Sequence, residues 1–141
     1  MADELSLLPE HDWPVLQPFW EAANRGELVF PRCKHCGTWH WYPTYMCREC
    51  EGELEWVSVA PHGTLYSWVV VRRALVAEYR EKVPYIVALL EIDDAPGVRF
   101  VLNTTDMSCE KKLHIGAKMQ IVFERLSDAI NMPRCLLAEP I

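Results

Sequence analysis

The chain has 141 residues, of which 50% are hydrophobic and 24% charged, with a formal net charge of -6. That composition suits one globular domain, or a small module plus a compact barrel, and excludes a disordered chain. The acidic balance argues against a nucleic-acid partner, which more often meets a basic face; Arg72-Arg73 and Lys111-Lys112 are the only adjacent basic pairs.

Met1 to Glu10 is acidic and has no basic start or long apolar run, so no secretory signal is expected. The longest apolar run, Ile86 to Leu90, is far too short to span a bilayer. The expected setting is a reducing cytoplasm with no membrane attachment, where thiols remain free for metal.

In chain order, residues 1–17 read as an irregular lead-in broken by Pro9 and Pro14. Leu5, Leu7, Leu8, Trp13 and Leu16 make it too apolar for a solvated tail, so it should pack on the body of the chain or on a partner. Pro18 to Arg25 reads as a short helix. Proline suits the first helical turn, Gly26 is a stop, and Phe19, Ala22 and Ala23 share one face. The lead-in and helix fill residues 1–27. Leu28-Val29-Phe30 then forms a short strand.

Residues 28–55 hold the chemistry-bearing motif, Cys33-x-x-Cys36-Gly37 and Cys47-x-x-Cys50, with ten residues between the pairs. Two intervening residues let the backbone fold into a knuckle that turns both thiolates to one ion. Gly37 falls where such a turn needs a positive φ. Four thiolates suit tetrahedral zinc. Iron is the less favoured occupant of the same four ligands, and a disulfide framework is disfavoured by the doubled spacing. His35 and His40 are discounted as ligands, because Cys33, Cys36, Cys47 and Cys50 already complete the shell. A tetrathiolate has no open coordination position, so its metal should be structural and should not activate water. The intervening Trp39-His40-Trp41-Tyr42-Pro43-Thr44-Tyr45 reads as core for a module too small to have its own, with a partner surface as the alternative. Cys109 and Cys135 stand alone and read as buried thiols.

Residues 56–141 read as β structure throughout. Val57 to Val71 is one strand broken by a bend or bulge at Pro61-His62-Gly63. Tyr85 to Ile92, Val98 to Asn103, Met119 to Glu124 and Cys135 to Ala138 follow, with a helical turn at Ser108 to Leu113. Five strands with a turn between the third and fourth match a Greek-key OB barrel. Tyr85 to Ile92 is apolar on both faces, so its outer face should be covered by the lead-in or by another protein. Residues 73–84 form the longest connection in the barrel, either a functional loop or a helical cap. No nucleophile elbow, P-loop or dinucleotide fingerprint occurs. Asp93 and Asp94 read as turn residues before Pro96-Gly97.

The ordered set Phe19-Trp20-Glu21-Ala22, Gly26-Glu27-Leu28, the two cysteine pairs, Gly63-Thr64-Leu65-Tyr66-Ser67, Pro84-Tyr85-Ile86-Val87-Ala88 and Ile115-Gly116 resembles the DUF35 family. The resemblance runs from Pro18 to Ala138. It departs from the family after the last cysteine, where Glu51 precedes Gly52, and at His62 before Gly63. It implies a mainly β fold: an N-terminal helix and a rubredoxin-like zinc ribbon, then a five-stranded, acyl-CoA-associated OB-fold barrel. It also implies an accessory subunit, not catalytic alone, of a thiolase-like protein or a MaoC-like enoyl-CoA hydratase. Some such pairs are retro-aldolases of steroid side-chain degradation, and others couple a thiolase to a hydroxymethylglutaryl-CoA synthase. The expected partner is thus a thiolase-like or aldolase protein in a hetero-oligomer, with acyl-CoA at the shared interface. Arg72, Arg73, Tyr79, Arg80 and Lys82, on and beside the long loop, are candidates for CoA or partner contact, since phosphates favour guanidinium and ammonium donors. A nucleic-acid-binding zinc-ribbon and OB module is the competing reading, with Tyr66, Trp68 and Phe100 as stacking rings.

Overall fold

The computed structural model describes residues 8–104 and 106–138. Leu5 and Leu7 of the apolar lead-in lie outside them. The described part of the lead-in ends in a 3-10 turn, Pro14–Leu16, that runs into helix α1, Gln17–Asn24. Pro18 sits in the first turn, where the missing N–H leaves no bond unmade. Phe19, Trp20, Ala22 and Ala23 are buried. The carbonyls at the far end of α1 have no partner within the helix. Asn131 Nδ2 donates to Ala23 O at 2.8 Å, and Arg125 donates to Asn24 O at 3.2 Å and to Asn24 Oδ1 at 2.7 Å. Those two residues belong to the last pair of strands, so the end of α1 is fastened to the far end of the chain.

Strand β1, Leu28–Cys33, pairs antiparallel with β2, Leu54–Val59, in a two-stranded sheet. The register runs from Leu28 opposite Val59 to Cys33 opposite Leu54. The run Val57 to Val71 is therefore not one bent strand. It is two strands in two sheets, and Pro61, lacking an N–H to give, stands at the crossing between them.

The second sheet has five antiparallel strands: β3, His62–Val71; β4, Tyr85–Ile92; β5, Arg99–Thr104; β6, Lys118–Arg125; and β7, Asn131–Leu137. Their order is β5-β4-β3-β6-β7. The central β3 pairs with β4 along its length, with a bulge at Tyr66, and with β6 through His62–Thr64. A 3-10 turn, Met107–Lys112, links β5 to β6. Asp106 caps it by accepting the Ser108 N–H at 3.0 Å. This is the strand order and turn placement of an OB fold, so the mainly β class holds. The expected barrel, however, does not close. Among the described residues, β5 and β7 share no ladder. Pro133 in β7 has no N–H to contribute, and the Arg134 guanidinium bridges the seam to Asn103 Oδ1 instead.

Both sheets and the helix share one core. Phe19 of α1, Phe30 of β1, Phe100 of β5 and Trp41 from between the knuckles form an aromatic cluster. The Trp41 ring lies 5.2–5.3 Å from the other three. Edge-to-face pairs such as Phe30 with Phe100, at 5.2 Å and 83°, join the ribbon to the five-stranded sheet.

Candidate functional site

The two knuckles have the same internal geometry. In the first, Gly37 N–H donates to Cys33 O at 3.0 Å; in the second, Glu51 N–H donates to Cys47 O at 3.0 Å. Both turning residues have positive φ, 76° at Gly37 and 62° at Glu51. The departure at Glu51 therefore leaves the turn intact and places a side chain in left-handed backbone.

The register of β1 and β2 brings the knuckles together. The sulfurs of Cys33, Cys36, Cys47 and Cys50 all lie within 4.8 Å of one another. Cys33 and Cys50 are 3.4 Å apart, and Cys36 and Cys47 3.6 Å. A tetrahedron with metal–sulfur bonds of about 2.3 Å has edges of about 3.8 Å, so the set fits a metal ion without rearrangement. Gly52 belongs to the same fit. A Cβ there would stand 2.9 Å from Cys33 Sγ and 3.1 Å from Cys50 Sγ, so only glycine lets the backbone pass this close.

Hydrogen bonds to sulfur surround the cluster. His35 and Cys36 N–H groups point at Cys33 Sγ, and Glu49 N–H at Cys47 Sγ, each at 3.4 Å. The Cys36 sulfur lies 3.1 Å from the Thr38 hydroxyl, whose hydrogen bond brings that thiol down to about 6. At Cys50 the Gly52 N–H favours the thiolate. The neighbouring Cys33 sulfur, desolvation, Cys36 and Cys47 outweigh it and push that thiol up to about 12. Four thiols in one place resist losing all their protons; a bound cation reverses that balance. His40, discounted as a ligand, is buried with Nε2 3.2 Å from Cys47 Sγ. Burial, and then Arg48, hold its imidazole below the usual histidine range, which favours the neutral form. Nothing in the sequence marks this role beyond the position of His40 between the knuckles.

The aromatic stretch between the knuckles is partly core and partly exposed. His40 is buried and Trp41 lies in the aromatic cluster, whereas Tyr42, Tyr45 and Met46 are exposed. Trp13 of the lead-in stacks on Tyr42 at 5.7 Å, and Leu16 is buried, so this part of the lead-in packs on the body.

Of the candidate contact residues, Tyr79 and Lys82 line an open groove system. Its apolar part, about 500 Å³, is walled by Trp41, Tyr42, Tyr79, Tyr85, Val87 and Leu102 among others. An adjoining part holds Lys82, Arg125 and Arg134. Arg72 instead pairs with Glu110 on the 3-10 turn. Arg73 and Arg80 are exposed and line neither part. The long loop carries a single turn of 3-10 helix, Ala77–Tyr79, with Leu75 fully in solvent.

The outer face of the β3-β4-β5 sheet is apolar. Cross-strand pairing puts Val71 beside Tyr85, Val69 beside Val87, and Leu89 beside Val101. Tyr85 and Val87 are half-covered by the groove walls, while Val69 and Val101 remain 57% and 61% exposed. The stacking set of the nucleic-acid reading does not assemble there: Phe100 is buried and Trp68 packs against the core, leaving Tyr66 under the Arg99 guanidinium. Among the described residues, the four cysteines are the single cluster of three or more His, Cys, Asp or Glu side chains with converging ligand atoms. No helix among them is long and apolar enough to cross a membrane.

Comparisons with known proteins fit this architecture. Residues 20–56 match the rubredoxin-like zinc ribbon domain of ChsH2, and residues 56–124 match the C-terminal OB-fold domain of ChsH2. A DUF35 domain-containing scaffold protein of Methanocaldococcus jannaschii is 28% identical over 83% of this chain and 82% of its own length. A probable enoyl-CoA hydratase alpha subunit of Thermomonospora curvata is 30% identical over 82% of this chain but only 35% of its own length. In structure, the chain is similar to the Ltp2-ChsH2(DUF35) aldolase, with a TM-score of 0.77 at 24% identity over 90% of this chain and 97% of that one. It is also similar to a Sulfolobus solfataricus DUF35 protein of unknown function, with a TM-score of 0.61 at 14% identity over 92% and 89%. With both domains matched in order across the ribbon and the sheet, the chain belongs to the DUF35 family.

Proposed function

We propose that this chain is a non-catalytic accessory subunit that binds and supports an acyl-CoA enzyme of the thiolase-like or aldolase type. The observation that carries the reading is the outer face of β3-β4-β5, an apolar ladder left open at Val69 and Val101 on a small acidic protein. Its relatives bear names in keeping with such a role: scaffold proteins, a hydratase subunit and an aldolase. A retro-aldolase of steroid side-chain degradation is the partner type favoured by the family resemblance, and a MaoC-like hydratase is the second. Co-expression with such a partner should yield a complex stable to gel filtration, with the partner alone weakly active or insoluble. A partner fully active alone, with no complex surviving, overturns the proposal.

In this reading the metal is zinc, held by Cys33, Cys36, Cys47 and Cys50, and its role is structural: bound there it would keep the thiols deprotonated and clamp the knuckles. Cys33→Ala or Cys50→Ala should release the ion and unfold the ribbon, since structural zinc supplies on the order of 10 kcal/mol to such modules. Retention of one zinc per chain with an unchanged melting curve contradicts this. A red oxidised protein would instead point to iron.

Acyl-CoA would lie at the shared interface, with Tyr79 and Lys82 meeting it from the groove and Arg73 and Arg80 from the exposed loop, while Arg72 would first have to leave Glu110. Charge reversal at Lys82 or Arg73 should weaken CoA binding by the assembled complex. Unchanged affinity retires those contacts without touching the accessory role.

A further inference from the structure

The metal cluster has two inner and two outer sulfurs. Cys33 and Cys47 are buried, and Cys36 and Cys50 are exposed. Thiolates bound to a divalent ion carry more negative charge than the ion cancels, and the excess is hardest to accommodate where water is absent. Cys33 meets two backbone N–H groups. Buried Cys47 has one, from Glu49, and the nearest further donor is the His40 imidazole at 3.2 Å. A neutral imidazole has one N–H and one bare nitrogen, and a thiolate can only accept. The pair is therefore a hydrogen bond when Nε2 carries the proton.

The placement of His40 links this bond to the rest of the fold. Its backbone N–H donates to Pro31 O at 2.9 Å, which fixes the residue against β1. The next two residues, Trp41 and Tyr42, are groove walls, and Trp41 is also the meeting point of the aromatic cluster.

We propose that His40 is a positioning residue of the metal centre: its Nε2–H donates to the Cys47 thiolate and thereby ties the wall formed by Trp41 and Tyr42 to metal occupancy. Partners of this kind, one step beyond the ligands, set ligand orientation and basicity, and losing one typically costs about 10–100-fold in metal affinity. The inference rests on the metal reading and is independent of the partner reading, so the isolated chain suffices to test it.

The test compares wild type, His40→Gln and His40→Phe after cobalt substitution. Glutamine can return an N–H donor near the Nε2 position; phenylalanine fills the space without one. A donor on sulfur stabilises its lone pairs and raises the energy of the sulfur-to-cobalt charge-transfer band. The band should move to longer wavelength in His40→Phe and return towards wild type in His40→Gln. Release of zinc to a chelator should be about 10–100-fold faster in His40→Phe and largely restored in His40→Gln. Should His40→Phe not fold, His40→Asn, which draws the donor back from the sulfur, takes its place with the same expected shift. A band and release rate unchanged by loss of the donor overturn the proposal, as do equal effects of Gln and Phe, which would reduce His40 to packing. A wild-type chain that takes up no cobalt at all overturns the metal reading itself.

Discussion

Glu51 holds a left-handed backbone conformation, φ 62°, at the position that Gly37 fills in the first knuckle. For a residue with a Cβ that conformation costs roughly 1–2 kcal/mol, partly offset by the greater entropy that glycine loses on folding. Glu51→Gly should therefore stabilise the folded chain by about 1 kcal/mol, seen as a melting temperature higher by about 3 °C. An unchanged or lower value would mean that the Glu51 side chain has a compensating role. The adjacent Gly52 cannot be exchanged in the same way, because its missing Cβ is what admits Cys33 Sγ and Cys50 Sγ. At this scale the sequence was readable where spacing dictates geometry: two cysteine pairs, each with two residues between, fix two knuckles. His40 was not readable, because a hydrogen bond to sulfur leaves no spacing rule behind.

Trp41 shows how the elements depend on one another. It stands between helix α1, strand β1 and strand β5 through Phe19, Phe30 and Phe100. Trp41→Ala should cost about 3 kcal/mol, the lower end for loss of a large aromatic because the ring is only partly buried. The loss should appear as one cooperative transition at lower denaturant. Two separated transitions would show that the ribbon and the five-stranded sheet fold independently. A second element-scale effect belongs to β7. Burial, and then the neighbouring Cys109, push the Cys135 thiol up to about 11 from an unfolded value near 9.0. Because the folded chain holds this proton more tightly, the stabilising difference is complete below pH 9 and lost as pH rises towards 11. Two pH units correspond to about 2–3 kcal/mol. The stability gap between wild type and Cys135→Ala, measured by urea denaturation, should narrow over that interval; a constant gap would show that Cys135 ionises freely. Strand positions were legible here because alternation and β-branched runs report one buried face, as in Tyr85–Ile92, where Ile86, Ala88, Leu90 and Ile92 all point inward. The separation of β2 from β3 was not legible. Both strands are apolar, and only pairing with β1 on one side and with β4 on the other assigns them to different sheets.

On the scale of the whole molecule, the metal cluster and the apolar face sit on separate structures joined by the aromatic core. The knuckles converge on four sulfurs, the single cluster of potential metal ligands among the described residues. The sheet's outer face is apolar and exposed at Val69 and Val101, and its edge carries the Glu91–Arg99 ion pair at 3.6 Å with Arg99 resting on Tyr66 at 4.0 Å. An apolar centre bordered by polar groups is the arrangement of a protein interface, where buried apolar contacts supply affinity and the rim excludes water. Val69 and Val101 make little contact within the chain, so a charge there should be tolerated by the fold but not by a partner. Val69→Lys or Val101→Glu should leave the melting temperature within about 2 °C of wild type, the range of an exposed substitution. If the proposed partner docks on this face, the same changes should weaken its association by at least about tenfold, a cost of roughly 1.4 kcal/mol. Titration calorimetry of the purified pair reads both quantities against a thermal control. Undiminished affinity in both variants would move the docking surface away from this sheet, to be sought next at the other apolar exposures, among them the Leu75 loop, the Tyr42–Met46 tip and Ile115. Weaker binding with an unchanged melt would show why a protein with a well-packed core still leaves a valine ladder uncovered: the ladder would be the half of an interface that the chain cannot bury alone.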